Sequence, residues 1–220
     1  MLLLGEGKAV VTAKRMMQGS IALVVLGASA GPVAEANVEH LRPATRQFVS
    51  RAMLANVRED GPYNLTPERR ALLNTIRYAE GTWKDGKDKG YRILYGGGQF
   101  KDFSRHPDRV IVKRYASAAA GAYQFLPSTW KGVAKELNLK TFEPEDQDQA
   151  ALHLVKKRGA LEEIDQKGLT QAAMARLAPE WASFPTKAGK SAYGQPVKSH
   201  SELARFYSSN LRHLRRHLGA

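Results

Sequence analysis

The chain has no cysteine among its 220 residues, so it has neither a disulfide frame nor a thiolate metal site, and its folding does not depend on the redox state of its compartment. Acidic residues are in deficit, 21 Asp and Glu against 34 Lys and Arg, which leaves a formal net charge of +13. Such an excess draws the protein to polyanions, whether nucleic acid, anionic lipid or an anionic cell wall. The motifs that select nucleic acid are missing too: no RNP-like aromatic strand, no zinc-finger spacing and no P-loop lysine. No His-Glu-x-x-His occurs, and Asp85, Asp88 and Asp108 lack the spacing and terminal glutamate of a calcium loop. No metal, no cofactor and no nucleic-acid partner is therefore expected. The apolar run Ile21-Ala22-Leu23-Val24-Val25-Leu26 falls well short of the roughly 20 residues that a spanning helix needs.

What remains is enough for one core. With 43% hydrophobic residues, the length suits one domain with an extension. Residues 1–36 have the order of a secretory signal: Lys8, Lys14 and Arg15, the short apolar run, then Ala28-Ser29-Ala30 and Ala34-Glu35-Ala36. An alternative is a disordered extension, or a start at Met16 or Met17. Residues 37–65 read as a linker with a short helix near 42–57, closed by Gly61-Pro62. The folded domain is expected over 66–220, as a monomer.

That domain is organised around TPERRALLNTIRYAE, residues 66–80. Thr66 is a suitable N-cap and Pro67 suits the first helical position. Leu72, Leu73, Ile76 and Ala79 recur at the spacing of one buried face, with Arg69, Arg70 and Asn74 on the other. Gly81 ends the helix, which leaves Glu80 in its last turn. The helix carbonyls already carry partial negative charge there, so a carboxylate is disfavoured. A buried Glu80 would hold its proton near neutrality and serve as a general acid; the plain reading is a solvated glutamate at a fraying end.

Beyond Glu80 the helical period stops. Residues 91–95 alternate like a strand, Gly96-Gly97-Gly98 turns the chain, 99–103 can return, and Val110-Ile111-Val112 can add a third strand. From Pro127 onward helices resume: one ending at Asn138, one from Pro144 to near Gly159, one over 161–166 closed by Gly168, and one from Thr170 toward Trp181. The last carries a capping box at Ser199 and Glu202, then Leu203, Phe206, Tyr207, Leu211, Leu214 and Leu218 on one face, with Arg205, Arg212, Arg215 and Arg216 elsewhere.

Ala79-Glu80-Gly81-Thr82, Gly90-Tyr91, Gly97-Gly98 with Phe100, and Asp102 with Ser104 and His106-Pro107 form an ordered series. It continues through Ala120-Gly121 with Tyr123-Gln124, Arg158-Gly159-Ala160-Leu161, Trp181-Ala182-Ser183 and Tyr193-Gly194-Gln195. The series resembles the bacteriophage lambda lysozyme family over roughly the last two-thirds of the chain. The resemblance implies an α+β, lysozyme-like fold: a mainly helical domain with a small antiparallel sheet as one wall of a cleft. It implies a muramidase of the lytic transglycosylase type, acting on peptidoglycan glycan strands outside the cytoplasm, in the periplasm or the extracellular space. The N-terminal segment would then be a signal or a transient membrane anchor.

The resemblance also assigns roles. Glu80 becomes the acid and base, Gln124 a hydrogen-bonding partner of the sugar, Tyr123 its packing neighbour, and Tyr193 a substrate contact on a movable lip that includes Trp181. From the residues alone, Tyr123 and Trp181 read equally as core, and Asp102 as a turn residue. Two rivals stand beside the transglycosylase. One is a hydrolytic lysozyme with Asp102 as second carboxylate; the other is a noncatalytic wall or polyanion binder on the same scaffold.

Overall fold

The computed structural model describes residues 61–218. The signal-like segment, residues 37–60 of the linker and the last two residues lie outside the described residues. Six α-helices and one two-stranded sheet make up the regular structure among the described residues: α1 (Pro67–Ala79), β1 (Ile111–Val112), β2 (Ala116–Ser117), α2 (Pro127–Leu137), α3 (Pro144–Lys157), α4 (Leu161–Lys167), α5 (Gln171–Leu177) and α6 (His200–Leu218). The α+β fold is the expected one.

Helix α1 is central. Thr66 Oγ1 accepts from the Arg69 amide at 3.3 Å, and Leu72, Leu73, Ile76 and Ala79 are buried as their spacing predicts. Asn74 departs from the expectation of an outer face: it is buried and its amide donates to Asn210 Oδ1 of α6 at 3.1 Å. The reason is that α6 packs along the side of α1 that sequence spacing leaves to solvent. Tyr78 stacks on Phe206 with centroids 4.1 Å apart, and its hydroxyl donates to Glu202 at 2.7 Å. The α6 cap forms, with Ser199 Oγ accepting from the Glu202 amide at 3.1 Å. Arg205, Arg212 and Arg216 are exposed, whereas Arg215 reaches back to Glu68 at 2.7 Å.

The remaining helices start at the expected residues, and all but α5 stop near them; α5 ends at Leu177, short of Trp181. Asn138 ends α2 in the left-handed region, Gly168 ends α4, and Thr170 Oγ1 accepts from the Ala173 amide to begin α5. The sheet is smaller than predicted. Residues 91–95 are largely 3₁₀ turns, and only isolated bridges join Ile93 to Gln99 and Leu94 to Ala120. Tyr91, Ile93, Leu94 and Tyr95 are all buried, so the apparent alternation reflects a segment enclosed on more than one side rather than a pleated strand. Residues 110–112 do not join that segment as a third strand. Ile111 and Val112 instead pair with Ser117 and Ala116 in a separate antiparallel hairpin.

Candidate active site

Glu80 owes its position to the way α1 ends. Gly81 takes φ +72, its amide bonds to Tyr78 O at 3.2 Å, and the Thr82 amide bonds to Arg77 O at 2.8 Å. This double closure is a Schellman motif, and it fixes Glu80 as the C-cap residue. Thr82 Oγ1 then donates to Ala122 O at 2.5 Å. The end of α1 is thereby tied to the loop that carries Gln124.

The Glu80 side chain is 3% exposed. Its Oε1 accepts from Ser183 Oγ at 2.5 Å, while Oε2 is buried with no hydrogen-bond partner. Burial pushes its pKa up to about 8, against the opposing pull of the Ser183 hydroxyl. No acidic residue contributes to that shift. At neutral pH the group is a protonated acid with one oxygen uncommitted, which is the state a general acid requires. Ser183 appeared in the sequence only as part of a matching run. No periodicity marks it, because it sits in a loop 103 residues from the acid it touches.

Gln124 is buried and has φ +49, outside the usual range of a non-glycine residue. Its Nε2 donates to Gly121 O at 3.0 Å and Ile93 O at 3.2 Å. Both partners are carbonyls, so the amide nitrogen must face them and the carbonyl oxygen is what Gln124 has left for a ligand. Tyr123 is a core residue, 1% exposed, with its hydroxyl on Asp148 Oδ1. Trp181 is core as well: 2% exposed, its indole nitrogen donates to Tyr123 O at 3.2 Å. Both rings are buried among core residues, the place that the reading from the residues alone gives them. Their aromatic surface is needed to bury the loop behind Gln124.

Asp102 is exposed, and its Oδ1 accepts from the Ser104 amide at 2.8 Å. Hydrogen bonds from Ser104 hold its carboxyl below the usual range. It is the carboxylate of a turn. Tyr193 lies on the loop after Ser183 and is 37% exposed, with its hydroxyl donating to Pro179 O at 2.7 Å. The loop closes on itself through Thr186 and Lys190, and the Lys198 amide returns to Ser183 O at 3.1 Å. Among the described residues no cluster of His, Asp and Glu suits a metal ion, and no helix is long and apolar enough to cross a membrane.

A family model for endolysins matches residues 70–214, the stretch that contains Glu80, Gln124, Ser183 and Tyr193. The chain belongs to the endolysin family. Among endolysins, that of Escherichia phage lambda is 38% identical over 146 residues, 63% of this chain and 89% of the relative. That of Escherichia phage P2 is 34% identical over 147 residues, 60% of this chain and 86% of the relative. A structure of bacteriophage lambda lysozyme complexed with a chitohexasaccharide aligns with a TM-score of 0.61 at 33% identity, covering 67% of this chain and 96% of that one. Endolysin membership and the lysozyme fold thus coincide over the residues that build the Glu80 site.

Proposed function

We propose that this endolysin cleaves the β-1,4 bond between N-acetylmuramic acid and N-acetylglucosamine as a lytic transglycosylase, with Glu80 as its single acid and base. The coarser part follows from the family, whose members are peptidoglycan-degrading enzymes that break glycosidic bonds. Glycan-strand binding is carried over from the lambda lysozyme, which forms a complex with a chitohexasaccharide. Action on peptidoglycan sets its place of work in the periplasm or the extracellular space.

One observation supports the single-acid chemistry most: the Glu80 carboxyl is buried with Oε2 unpartnered, an environment that pushes its pKa up to about 8. A hydrolytic pair needs two carboxyl groups about 5 to 9.5 Å apart around the bond. In the proposed reaction Glu80 gives its proton to the glycosidic oxygen as the bond from C1 breaks. The Ser183 hydroxyl stabilises the carboxylate so formed. That carboxylate takes the proton of the muramyl C6 hydroxyl, whose oxygen closes on C1 to give the 1,6-anhydro sugar. Glu80 ends protonated and no water is consumed. The Gln124 carbonyl oxygen is assigned to a sugar N–H or hydroxyl, and the exposed Tyr193 ring to the outer edge of the bound strand.

Mass spectrometry of digested peptidoglycan tests this directly. Anhydromuramyl ends are expected; reducing ends alone would replace the proposal with the hydrolytic reading. Equal clearing by wild type and Glu80→Gln in zymography would instead leave a noncatalytic role for this residue.

A further inference from the structure

Behind the Glu80 site lies a polar cluster that the proposed chemistry does not use. Helix α3 buries three consecutive polar side chains, Gln147, Asp148 and Gln149. Asp148 Oδ1 accepts from the Tyr91 hydroxyl at 2.8 Å and from the Tyr123 hydroxyl at 2.5 Å. Gln147 Oε1 accepts from the Ala122 amide at 2.8 Å, and its Nε2 donates to Tyr91 O at 3.1 Å and Phe142 O at 2.7 Å. These two side chains therefore grip both segments that flank the end of α1.

The grip continues to the acid from two directions. Ala122 O receives the Thr82 hydroxyl, two residues beyond Glu80. Arg77, three residues before Glu80 on α1, lies 4.5 Å over the Tyr91 ring and donates to Lys87 O at 3.0 Å. Gly121 adds a steric requirement: with φ +81, a Cβ there would lie 2.3 Å from Gln147 Oε1. The loop can approach Gln147 this closely only as glycine.

We propose that Gln147 and Asp148 are positioning residues, a clamp on α3 that sets the Gly121–Gln124 loop at its working distance from Glu80. This inference rests on the reading of Glu80 as the acid. A buried group with all its bonds made stabilises wherever it sits, but here every bond of the pair except that to Phe142 O ends on a segment adjoining the site. Burial raises the pKa of the Tyr91 and Tyr123 phenols, so they remain donors at working pH. Loosening the clamp would let water reach Glu80 and separate it from Gln124. A misplacement near 1 Å costs rate rather than substrate affinity.

The test compares Tyr123→Phe, Asp148→Leu and Asp148→Asn with wild type and Glu80→Gln, on soluble peptidoglycan strands and well below each protein's melting temperature. Tyr123→Phe deletes one hydroxyl; Asp148→Asn keeps the accepting oxygen. Tyr123→Phe and Asp148→Leu are expected to lose about 10- to 100-fold in kcat per folded molecule, with KM changed by less than about twofold. The alkaline limb of their pH profiles should move to lower pH, as water reaching the acid favours its ionised form. Asp148→Asn should recover most of the loss. Lowered melting temperatures with unchanged kcat and an unmoved limb would overturn the clamp while Glu80→Gln stays inactive. If Asp148→Leu fails to fold, Tyr123→Phe decides by the same criteria. Wild-type activity in Glu80→Gln would overturn the catalytic reading and the clamp with it.

Discussion

Glu80 and Asp148 are carboxyl groups buried to almost the same degree, 3% and 7% exposed, yet their surroundings are opposites. Asp148 receives two phenolic hydroxyls and the field of Arg77, which offset much of the burial cost and leave it at about 6. Glu80 receives one serine hydroxyl and no cation, and stands at about 8. A structural acid is surrounded until its charge is tolerable. The other is left one partner short, and an unpartnered buried oxygen costs stability unless a ligand completes it.

The largest effect expected from this contrast is on rate. Glu80→Gln keeps the shape and the Ser183 contact but has no proton to give, and should lower kcat by about 10³-fold, within the range of general acid catalysis. Zymography and product release from labelled peptidoglycan measure it. In wild type the activity should fall as pH rises through about 8, the Glu80 value, because the donor then loses its proton.

Stability gives the next largest effect, with a definite sign. The folded-state pKa of Glu80 lies above its ordinary value of 4.5, so between these values the unfolded chain releases a proton that the folded chain retains. Ionisation therefore favours unfolding increasingly as pH rises from 4.5 to 8. Wild type should lose about 3 kcal/mol from this group between pH 4 and pH 7, and Glu80→Gln should not. Denaturant unfolding of both proteins at the two pH values measures the difference. Equal pH dependence would mean that Glu80 is not buried in solution.

Ser183 separates the two acids further. Its hydroxyl favours the ionised form of Glu80, so Ser183→Ala should move the alkaline limb to higher pH. It should also slow the reaction by about tenfold, the worth of one hydrogen bond to a charged group. A limb that moves to lower pH would indicate that the substitution lets in water instead.

How much of this was legible in the sequence follows from what each residue depends on. Glu80 was found because Thr66, Pro67 and Gly81 mark a helix locally, and an acid at a helix end conflicts with the dipole. The ends of α2 and α4 and the start of α5 were legible for the same reason. Ser183 and the clamp were not, since their partners are brought together only by tertiary packing. A trace of the clamp was present nonetheless: Gln147 and Asp148 stand four residues before Ala151 and Leu152, on the inward face of α3, where polar side chains call for partners. The 91–95 strand was misread because enclosure on several sides produces runs of apolar residues that a short window cannot tell from alternation. Tyr123 and Trp181 illustrate the same limit, since an aromatic ring suits a core and a sugar face equally until burial is known.

The smallest predicted effect discriminates most sharply between mechanisms. Asp102 makes its bond to the Ser104 amide through Oδ1, and asparagine retains that acceptor. Asp102→Asn should therefore preserve the turn and change kcat by less than about twofold if the carboxylate takes no part, as for surface changes in general. A hydrolytic mechanism with Asp102 as nucleophile or base requires its charge, and predicts a loss of at least about 10²-fold. Because the substitution removes charge and little else, a small effect cannot be ascribed to compensation by structure, nor a large one to unfolding. Measured beside Glu80→Gln, the pair asks whether one carboxyl or two carries the reaction, independently of the identity of the products.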